Sequence, residues 1–552
     1  MTRYARHIAK STTPQTERVD SRQVRNDGGG FSYAADKWTN LRRWLILGAE
    51  GGSYNVGERQ LVKRNVAAID ACLAEDGVRT VDTIVDVSKN GCAPKNDPAI
   101  LALALASAAS DDDTRRAACA AIPAVCRTST HLFNFVGTIK EGEIRGFGRG
   151  LRQGIMSFYA HRDEDSLAYQ ICKYAQRNGW SHRDILRLCG GAKTDWDWAP
   201  GHEAAMRYAV CGPQWSKRVV QRGDTSTTYK AIRKNTIPEI ILGVEAAKAA
   251  KSEDEIVGLI NEHGLTHEMI PSEFKGSAAV WGALLTKMPP TAMIRNLGRM
   301  SANGLLTPMS DAARLVAKRL RDAEYLRRGR VHPLAVLMAL NTYGNGRGVR
   351  GSLTWTPVQT ITDALDDAYD LAFGGIQPAN KRTLIGVDVS GSMCSGEVAG
   401  MTGITPRVGA MAMAMAFART EPDYHLMAFS SGFIPLDISA RDSLRTVSDK
   451  TRRLPFDWTD CARPMLWALE TNTMVDTFIV LTDNDTNHSS MHPHIALQRY
   501  RQRTGIDARM IVVGMRGNGF TIADPADPGM LDVIGFDTAA PGLMNAFSRR
   551  EF

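Results

Sequence analysis

The chain has 552 residues, of which 43% are hydrophobic and 23% are charged, and its formal net charge is +8. This composition excludes a wholly disordered protein, and the length exceeds what one hydrophobic core usually supports, so we expect at least two domains. The polar N-terminus contains no apolar signal region or transmembrane run, which predicts a cytoplasmic protein with no membrane partner.

Helical periodicity dominates residues 21–375, after a polar stretch at residues 1–20 that we expect to be flexible. Helices are predicted at residues 58–73, 98–109, 114–126, 165–176, 238–250, 277–287, 311–321 and 333–341. Short turns separate them and we predict no strands in between, so the sequence favours a solenoid of stacked helical pairs. The nine cysteines include no C-x-x-C pair, which argues against a disulfide framework and against a zinc site.

Positive charge is concentrated in this helical region. Residues 371–552 contain 17 Lys and Arg against 19 Asp and Glu, whereas residues 1–370 contain 50 against 40. Residues 145–235 alone have a net charge of +8, and aromatic residues are interleaved with the basic ones: Tyr159, Tyr174, Trp180, Trp196, Trp198, Trp215 and Tyr229. Such a stretch is typical of proteins that bind RNA or single-stranded nucleic acid. A solvated basic face above core tryptophans would give the same pattern.

The last third of the chain, residues 376–552, alternates between predicted strands and helices. Strands are predicted at residues 383–387, 424–431, 477–481 and 508–515, and helices at residues 406–419, 461–470 and 495–503. This alternation predicts a doubly wound α/β domain with a mostly parallel sheet. The fold class of the whole chain is therefore a helical region followed by an α/β domain.

Oxygen-bearing side chains follow the predicted strands of this domain. Asp388, Ser390 and Ser392 come directly after the first strand, Asp483 follows a later one, and Thr459 lies in a loop between them. Loops at the carboxyl ends of parallel strands meet at one edge of a sheet. Hydroxyls and carboxylates without His or Cys suit Mg²⁺, or alternatively Mn²⁺, better than Zn²⁺. Ordinary turn chemistry is the alternative explanation.

The pattern resembles the metal-ion-dependent adhesion site of von Willebrand factor A domains. This resemblance implies that Ser390, Ser392, Thr459 and Asp483 are metal ligands, with Asp388 orienting the loop. One coordination position would remain for an acidic group of a partner. The chain departs from the family pattern at Asp457-Trp458, where small glycines often stand.

The helical region resembles the TROVE domain, the RNA-binding module of the Ro ribonucleoprotein autoantigen family. The resemblance lies in residues 38–45, 47–54, 125–133 and 173–182, and continues at residues 288–289, 295–298, 331–333 and 353–355. It implies a ring of HEAT-like α-helical repeats closed by the von Willebrand factor A-like domain, in a monomer. Its implied partners are Y-type small non-coding RNA on the outer basic surface, and single-stranded 3′ ends of misfolded or damaged RNA in the central hole. An exoribonuclease tethered through the RNA is a further implied partner, so the protein would be a scaffold in RNA quality control and not an enzyme.

The resemblance also implies RNA contacts for particular residues. Lys173 and Arg177 are four apart near the end of the predicted helix 165–176, so both would project from one face towards phosphates. They could instead complement the C-terminal end of that helix. His182 follows the predicted turn at Asn178-Gly179.

Five further residues have two possible roles. Arg295 and Asn296 lie in an otherwise apolar predicted helix and need polar partners, which are either RNA in the hole or neighbouring helices. The same two explanations apply to Arg42, Arg43 and His131.

Two other functions compete with RNA binding. A metal-dependent protein-interaction module would use the metal site alone, but the charge of the helical region argues against that as the sole role. A metal-dependent nuclease would need paired acidic residues or a general base, and the hydroxyl-rich pattern offers no evident base.

Overall fold

The structure is a computed structural model in which the chain forms two compact units. It describes residues 13–49, 58–190, 198–212, 219–222, 225–228, 236–349, 351–373, 377–436, 438–452, 454, 457–489 and 491–551. The helical unit comprises Leu73–Lys89 and Asn96–Arg314. The sheet unit comprises Met1–Cys72, Asn90–Lys95 and Leu315–Phe552, so it unites the N-terminal residues with the last third of the chain.

The helical unit consists of short helices that are frequently capped by side chains. Its helices are the later part of Glu58–Asn90, then Asp97–Ala106, Asp112–Val125, Ser129–Glu141, Arg149–Ala160, Glu164–Lys173, His182–Leu188, Pro200–Cys211, Glu239–Ala249, Glu253–His263, Ala278–Thr286, Pro290–Ala302 and the start of Asp311–Leu320. Asp111, Thr128 and Asp163 each accept a hydrogen bond from a backbone N–H in the first turn of the helix that follows. Such caps satisfy donors that would otherwise have no partner within the helix. The predicted helices of this region are confirmed, with shifted ends.

Short hairpins interrupt these helices, so the prediction of a strand-free region is wrong. The strands are Gln176–Arg177, Trp180–Ser181, Val219–Arg222 and Thr225–Thr228. In the first hairpin the turn is made by Asn178 and Gly179, whose φ angles of 50° and 78° are left-handed values that Asn and Gly tolerate best. Strands of two residues are too short to show an alternating pattern, and for this reason periodicity missed them.

The sheet unit is built around a six-stranded sheet. In order across the sheet its strands are Met530–Ile534, Arg509–Gly514, Thr477–Thr482, Thr383–Asp388, Tyr424–Phe429 and Phe433–Pro435. All neighbouring strands are parallel except the last pair, which is antiparallel. The two central strands are buried along their whole length, as expected where both faces of a sheet are covered. The predicted doubly wound architecture is confirmed.

The helices of this unit include one that is buried on all sides. They are Lys37–Leu47, the start of Glu58–Asn90, most of Asp311–Leu320, then Ala323–Arg328, Pro333–Gly344, Gln359–Ala372, Pro406–Ala418, Leu444–Arg452, Arg463–Glu470, Pro493–Thr504 and Ala540–Arg549. The Ala- and Met-rich helix Pro406–Ala418 is buried at every position, which agrees with its lack of a polar face.

Residues 13–34, which we call the N-terminal segment, fold within the sheet unit. Gln23–Arg25 and Phe31–Ala34 pair antiparallel, and Phe520–Thr521 adds a third strand. Gln15 is fully buried, although it lies in the stretch that the sequence predicts to be flexible. This segment therefore has tertiary partners that its polar composition does not reveal.

All nine cysteines are free thiols, and no helix in the described part of the chain has both the length and the apolar character needed to cross a bilayer. Cys126 and Cys172 are buried, whereas Cys119 is partly exposed.

His332 caps the helix Pro333–Gly344 in its neutral form. Its Nδ1 accepts a hydrogen bond from the Leu334 N–H at 3.1 Å, so the ring proton must lie on Nε2, which is 3.1 Å from the Phe536 carbonyl oxygen. Burial lowers the pKa of His332 to about 4. Protonation at Nδ1 would replace the acceptor of the cap with a donor.

We expect the stability of the protein to fall between pH 6.5 and pH 4, in part because of His332. The unfolded side chain, with an ordinary pKa near 6.5, takes up a proton in this range before the folded one does. The contribution is fully present above pH 6.5 and is lost as pH falls, by at most about 1.4 kcal/mol per pH unit. His332→Asn keeps a capping oxygen without titrating, so its unfolding free energy should depend less steeply on pH in denaturant titrations. An unchanged pH dependence would contradict this role.

Candidate metal centre and nucleic-acid interface

Two strand ends and one loop bring the predicted metal ligands to the same edge of the sheet. Asp388 ends one central strand, and Asp483 follows the last residue of its neighbour. The Ser390 and Ser392 hydroxyl oxygens lie 3.2 Å apart, and both side chains are buried. The strand register thus explains why residues almost a hundred positions apart converge.

Asp388 holds the first loop in place. Its Oδ1 accepts a hydrogen bond from the Ser390 N–H at 2.9 Å, and its Oδ2 accepts one from the Thr482 hydroxyl at 2.7 Å. Burial, reinforced by the nearby charge of Asp483, raises the pKa of Asp388 to about 7. Both oxygens are already occupied by protein donors, which suits an orienting role better than direct ligation.

Asp483 has the property expected of a ligand. It is buried, its Oδ1 accepts a hydrogen bond from the Asp485 N–H at 3.2 Å, and its Oδ2 has no hydrogen-bond partner among the described residues. Burial raises the pKa of Asp483, and the Arg516 guanidinium, whose Nε lies 3.9 Å from Oδ2, opposes that rise. A buried carboxylate oxygen without a donor is costly, and a bound cation would satisfy it.

Thr459 is buried in a loop that is hydrogen-bonded both to the loop of Asp483 and to the loop of the two serines. Its N–H donates to Asn487 Oδ1 at 3.2 Å, and its carbonyl oxygen accepts from the Asn487 N–H at 3.0 Å. The Gly391 N–H donates to the Asp457 carbonyl oxygen at 3.4 Å, which links this loop to the serine loop. Trp458 stands between these attachments and is 61% exposed.

The residues present fit a hard divalent cation. Ser390, Ser392 and Asp483 supply two hydroxyls and one orphaned carboxylate oxygen, and Thr459 lies in the adjoining loop. Within the described ranges there is no cluster of three or more His, Cys, Asp or Glu side chains able to hold a metal, so a centre here depends on the hydroxyls. Oxygen donors of this kind suit Mg²⁺ or Mn²⁺.

Lys173 and Arg177 do not share a helical face, so that part of the sequence prediction is wrong. The helix ends at Lys173, and Arg177 lies in the hairpin that follows. Lys173 is half-buried, and its Nζ donates to the Tyr169 hydroxyl at 3.0 Å. Arg177 is exposed, and its guanidinium donates to the Gln176 carbonyl oxygen at 2.7 Å. Arg177 is thus the more accessible cation of the two.

His182 and Arg43 are buried, each in a different unit. His182 Nδ1 lies 3.0 Å from the Tyr159 hydroxyl, and burial lowers the pKa of His182 to about 3. The Arg43 guanidinium forms an ion pair with Asp532 and donates to the Phe520 carbonyl oxygen at 2.9 Å. Side chains in these positions present no surface to RNA.

Arg42 and His131 are partly exposed and have protein partners. Arg42 pairs with Asp537 at 2.9 Å in the sheet unit. In the helical unit, His131 Nδ1 lies 3.3 Å from the Asn96 amide nitrogen, and burial lowers the pKa of His131 to about 4. His131 is therefore neutral at physiological pH and offers no positive charge to a phosphate.

Arg295 is exposed, and the inter-helix role considered for it is wrong. It lies on the helix Pro290–Ala302 one turn before Arg299, which is also exposed. Asn296 is half-buried, and its side-chain amide donates to the Ala292 carbonyl oxygen of the same helix at 2.8 Å. The helix therefore presents two arginines to solvent.

Sequence reasoning missed two exposed arginines near the Asn178-Gly179 turn. Arg183 and Arg187 are exposed, four positions apart on the helix His182–Leu188. Ser181 and Asp184 form a reciprocal cap at the start of this helix. The i, i+4 spacing of the two arginines was the signal that could have found them.

Two of the interleaved aromatic residues take part in packing within the helical unit. Tyr159 is fully buried, and Trp180 packs so closely on Gly137 that a Cβ there would lie 3.1 Å from the indole nitrogen. Trp196, Trp215 and Tyr229 lie outside the described residues.

Comparison with known proteins gives matches over almost the whole chain. Residues 24–345 match the model of the TROVE domain, and residues 382–548 match that of the Ro60 vWA domain. The chain is 40% identical over 548 residues to the RNA-binding protein RO60 of Deinococcus radiodurans, with 99% of each chain covered. It is 34% identical over 599 residues to the RNA-binding protein RO60 of Caenorhabditis elegans, with 98% of this chain and 92% of the relative covered. The crystal structure of the Deinococcus radiodurans RO (RSR) protein is similar, with a TM-score of 0.63 and 38% identity, covering 94% of this chain and 100% of that one.

Proposed function

Because this chain belongs to the Ro family, in which a TROVE domain precedes a von Willebrand factor A domain, we propose that it is an RNA-binding scaffold protein. The observation that carries the proposal is the group of exposed arginines at the Asn178-Gly179 hairpin, inside the TROVE range. Exposed guanidinium groups bind phosphates and would hold the backbone of a structured RNA.

The first proposed RNA site takes a structured, Y-type small RNA. Arg177, Arg183 and Arg187 would contact its phosphates, and Lys173 would contribute from the end of the preceding helix. Phosphate contacts fix position without reading bases, so this site should tolerate changes of RNA sequence.

The second proposed site takes the single-stranded 3′ end of misfolded or damaged RNA. Arg295 and Arg299 on the helix Pro290–Ala302 are its proposed contacts. Two such sites would allow the protein to hold a structured RNA and to select other RNAs by their free ends. We further propose that a cytoplasmic exoribonuclease is recruited through the bound RNA.

We also propose that the sheet unit binds Mg²⁺ or Mn²⁺ through Ser390, Ser392, Asp483 and Thr459. A bound cation would supply a positive charge with a coordination position open to an anionic partner. The buried, orphaned oxygen of Asp483 supports this assignment. The exposed Trp458 beside the site favours a second candidate function, in which this edge of the sheet docks an acidic protein.

Filter binding of labelled RNA across a salt series tests the main proposal. Binding that is dominated by phosphate contacts must weaken steeply as salt rises, because each contact releases counterions from the RNA. A structured RNA that is retained equally at 50 and roughly 200 mM salt, or not retained at all, would contradict the proposal.

We expect the chain to have no nuclease activity of its own. The candidate centre has one orphaned carboxylate, Asp483, where hydrolysis would require two metals held by paired acids or one metal with a general base. Purified protein with Mg²⁺ should therefore leave single-stranded RNA intact over hours on a denaturing gel. Cleavage that disappears in the Asp483→Ala variant would revive the nuclease alternative, whereas cleavage that persists in it would point to a contaminant.

A further inference from the structure

The N-terminal segment contacts the loop that carries Asp483 at four consecutive residues. Ser32 donates to the Asn484 carbonyl oxygen at 3.2 Å, and Gly28 N–H donates to Asp485 Oδ1 at 3.1 Å. The next two contacts continue along the same loop. Asn26 donates to the Thr486 carbonyl oxygen at 2.9 Å, and the Asn487 amide donates to the Gly28 carbonyl oxygen at 2.9 Å.

Gly28 is linked to two predicted metal ligands through one intermediate residue each. Asp485 accepts from Gly28, and its own N–H donates to Asp483 Oδ1 at 3.2 Å. Asn487 donates to Gly28, and its Oδ1 accepts from the Thr459 N–H at 3.2 Å. The backbone N–H and the carbonyl oxygen of Gly28 therefore connect the loops of Asp483 and Thr459.

Gln15 reinforces the same connection from the other end of the segment. It is fully buried, and its amide donates to Asp460 Oδ1 at 3.2 Å and to the Met491 carbonyl oxygen at 2.8 Å. Its own oxygen accepts from the Thr486 hydroxyl. Asp460 adjoins Thr459 in the chain, so both loops are held by this side chain as well.

The glycines of the turn are required by close approach. A Cβ at Gly30 would lie 1.8 Å from the Thr486 carbonyl oxygen, and a Cβ at Gly28 would lie 3.2 Å from the Asp485 Cβ. Neither residue has the left-handed backbone that would by itself favour glycine. Any side chain at residue 30 must push the segment away from the loop.

We propose that the N-terminal segment is a positioning part of the metal centre: Gly28, Asp485 and Asn487 set the positions of Asp483 and Thr459, so cation binding requires the segment to be seated. This inference rests on the proposed metal site. Linkage is reciprocal, so a bound cation must in turn hold the segment in place. The protease accessibility of the segment should therefore report whether the cation is bound.

Cation affinity tests the inference in the full-length protein. Mn²⁺ binding is measured by electron paramagnetic resonance, which counts free Mn²⁺ directly. Outer-shell partners of metal ligands typically contribute 10- to 100-fold to affinity, so Asn487→Ala and Gly30→Ala should each weaken Mn²⁺ binding by roughly that factor. Arg25→Ala, an exposed change on the same hairpin, is the matched control and should bind as wild type does.

Protease protection tests the reciprocal effect. Trypsin sites lie within the segment at Arg18, Arg22 and Arg25, all of which are exposed. Mn²⁺ should slow cleavage there in wild type, and the same concentration of Mn²⁺ should slow it less in Asn487→Ala. Cleavage elsewhere in the chain serves as the internal reference.

The possible results separate the two proposals. Wild-type protein that binds no Mn²⁺ would overturn the metal site itself and the inference with it. Wild-type protein that binds Mn²⁺ with unchanged affinity in Asn487→Ala would overturn the inference alone. If Gly30→Ala does not fold by circular dichroism, Asn487→Ala decides the question, since it introduces no steric conflict.

Discussion

The double variant Ser390→Ala with Asp483→Ala should lose the thermal stabilisation that Mg²⁺ or Mn²⁺ gives the wild-type protein. A ligand that binds only the folded state stabilises it by about 2.7 kcal/mol at a hundredfold excess over its Kd. For a domain of roughly 200 residues this corresponds to a rise in Tm of roughly 5–10 °C. Without two of its oxygen donors the site should show no such rise.

Without a cation, the double variant should not be the less stable of the two proteins. Wild-type Asp483 is buried, its Oδ2 is orphaned among the described residues, and burial raises its pKa, so its charge destabilises the fold when no cation is present. Removing it should leave the variant at least as stable as wild type in EDTA at alkaline pH. Without cation, the Tm of the double variant should therefore equal or exceed that of wild type. As the cation concentration rises, only the Tm of wild type should increase, so wild type should become the more stable protein.

Differential scanning calorimetry of the full-length chain measures both effects. Asp423→Ala is the matched control, because Asp423 is an exposed carboxylate that precedes the strand Tyr424–Phe429 and so lies at the opposite end of the sheet from the site. Equal cation-induced shifts in wild type and in the double variant would refute the assignment of the ligands.

The meeting of the proposed metal ligands at one edge of the sheet could be predicted because its determinants are local. Asp388, Ser390 and Ser392 directly follow an apolar run, and Asp483 follows another, so sequence order alone placed them at one edge of a parallel sheet. The contacts of this edge with the N-terminal segment could not be predicted. The contacts of Gln15 and Gly28 join residues more than 400 positions apart, and neither polar side chains nor glycines carry a periodic signal.

The proposed RNA contacts were harder to predict, because burial decides which basic side chains are accessible. Arg43 and Arg42 are neighbours in sequence and equally basic, yet one is buried in an ion pair and the other is partly exposed. The spacing of Lys173 and Arg177 suggested one helical face, but the helix ends between them. Sequence patterns locate a helix end only to within a few residues, because tertiary context decides where the helix stops. That uncertainty is enough to invalidate an argument that two residues share one helical face.

The largest loss of RNA affinity should follow from changing Arg177 and Arg187 together to alanine. Both side chains are exposed beside the Asn178-Gly179 turn, and a hydrogen bond to a charged group contributes about 1.5–3 kcal/mol. We therefore expect affinity for a structured RNA to fall by roughly 100-fold or more at low salt. The slope of log affinity against log salt should become shallower by roughly one unit or a little less per lost contact.

Two comparison variants show whether a loss of RNA affinity comes from lost phosphate contacts, from the change in net charge or from reduced stability. Lys173→Ala should reduce affinity less and stability more, since Lys173 is half-buried and hydrogen-bonded to Tyr169. Arg116→Ala with Arg314→Ala removes two exposed arginines of the helical unit that are already paired with carboxylates one turn earlier. This control matches the change in net charge and should leave RNA binding nearly unchanged.

If the protein has two RNA sites, variants of the two sites should weaken the binding of different RNAs. Arg295→Ala with Arg299→Ala should weaken an RNA that has a free single-stranded 3′ end and should spare a hairpin that lacks one. The Arg177 and Arg187 double variant should show the reverse preference, because the hairpin depends wholly on the first site. If each variant weakens both RNAs by the same factor, the arginines belong to one continuous basic surface, and the two-site proposal must be abandoned. Phosphate contacts would then explain affinity, but neither pair of arginines would distinguish an RNA with a free end from one without.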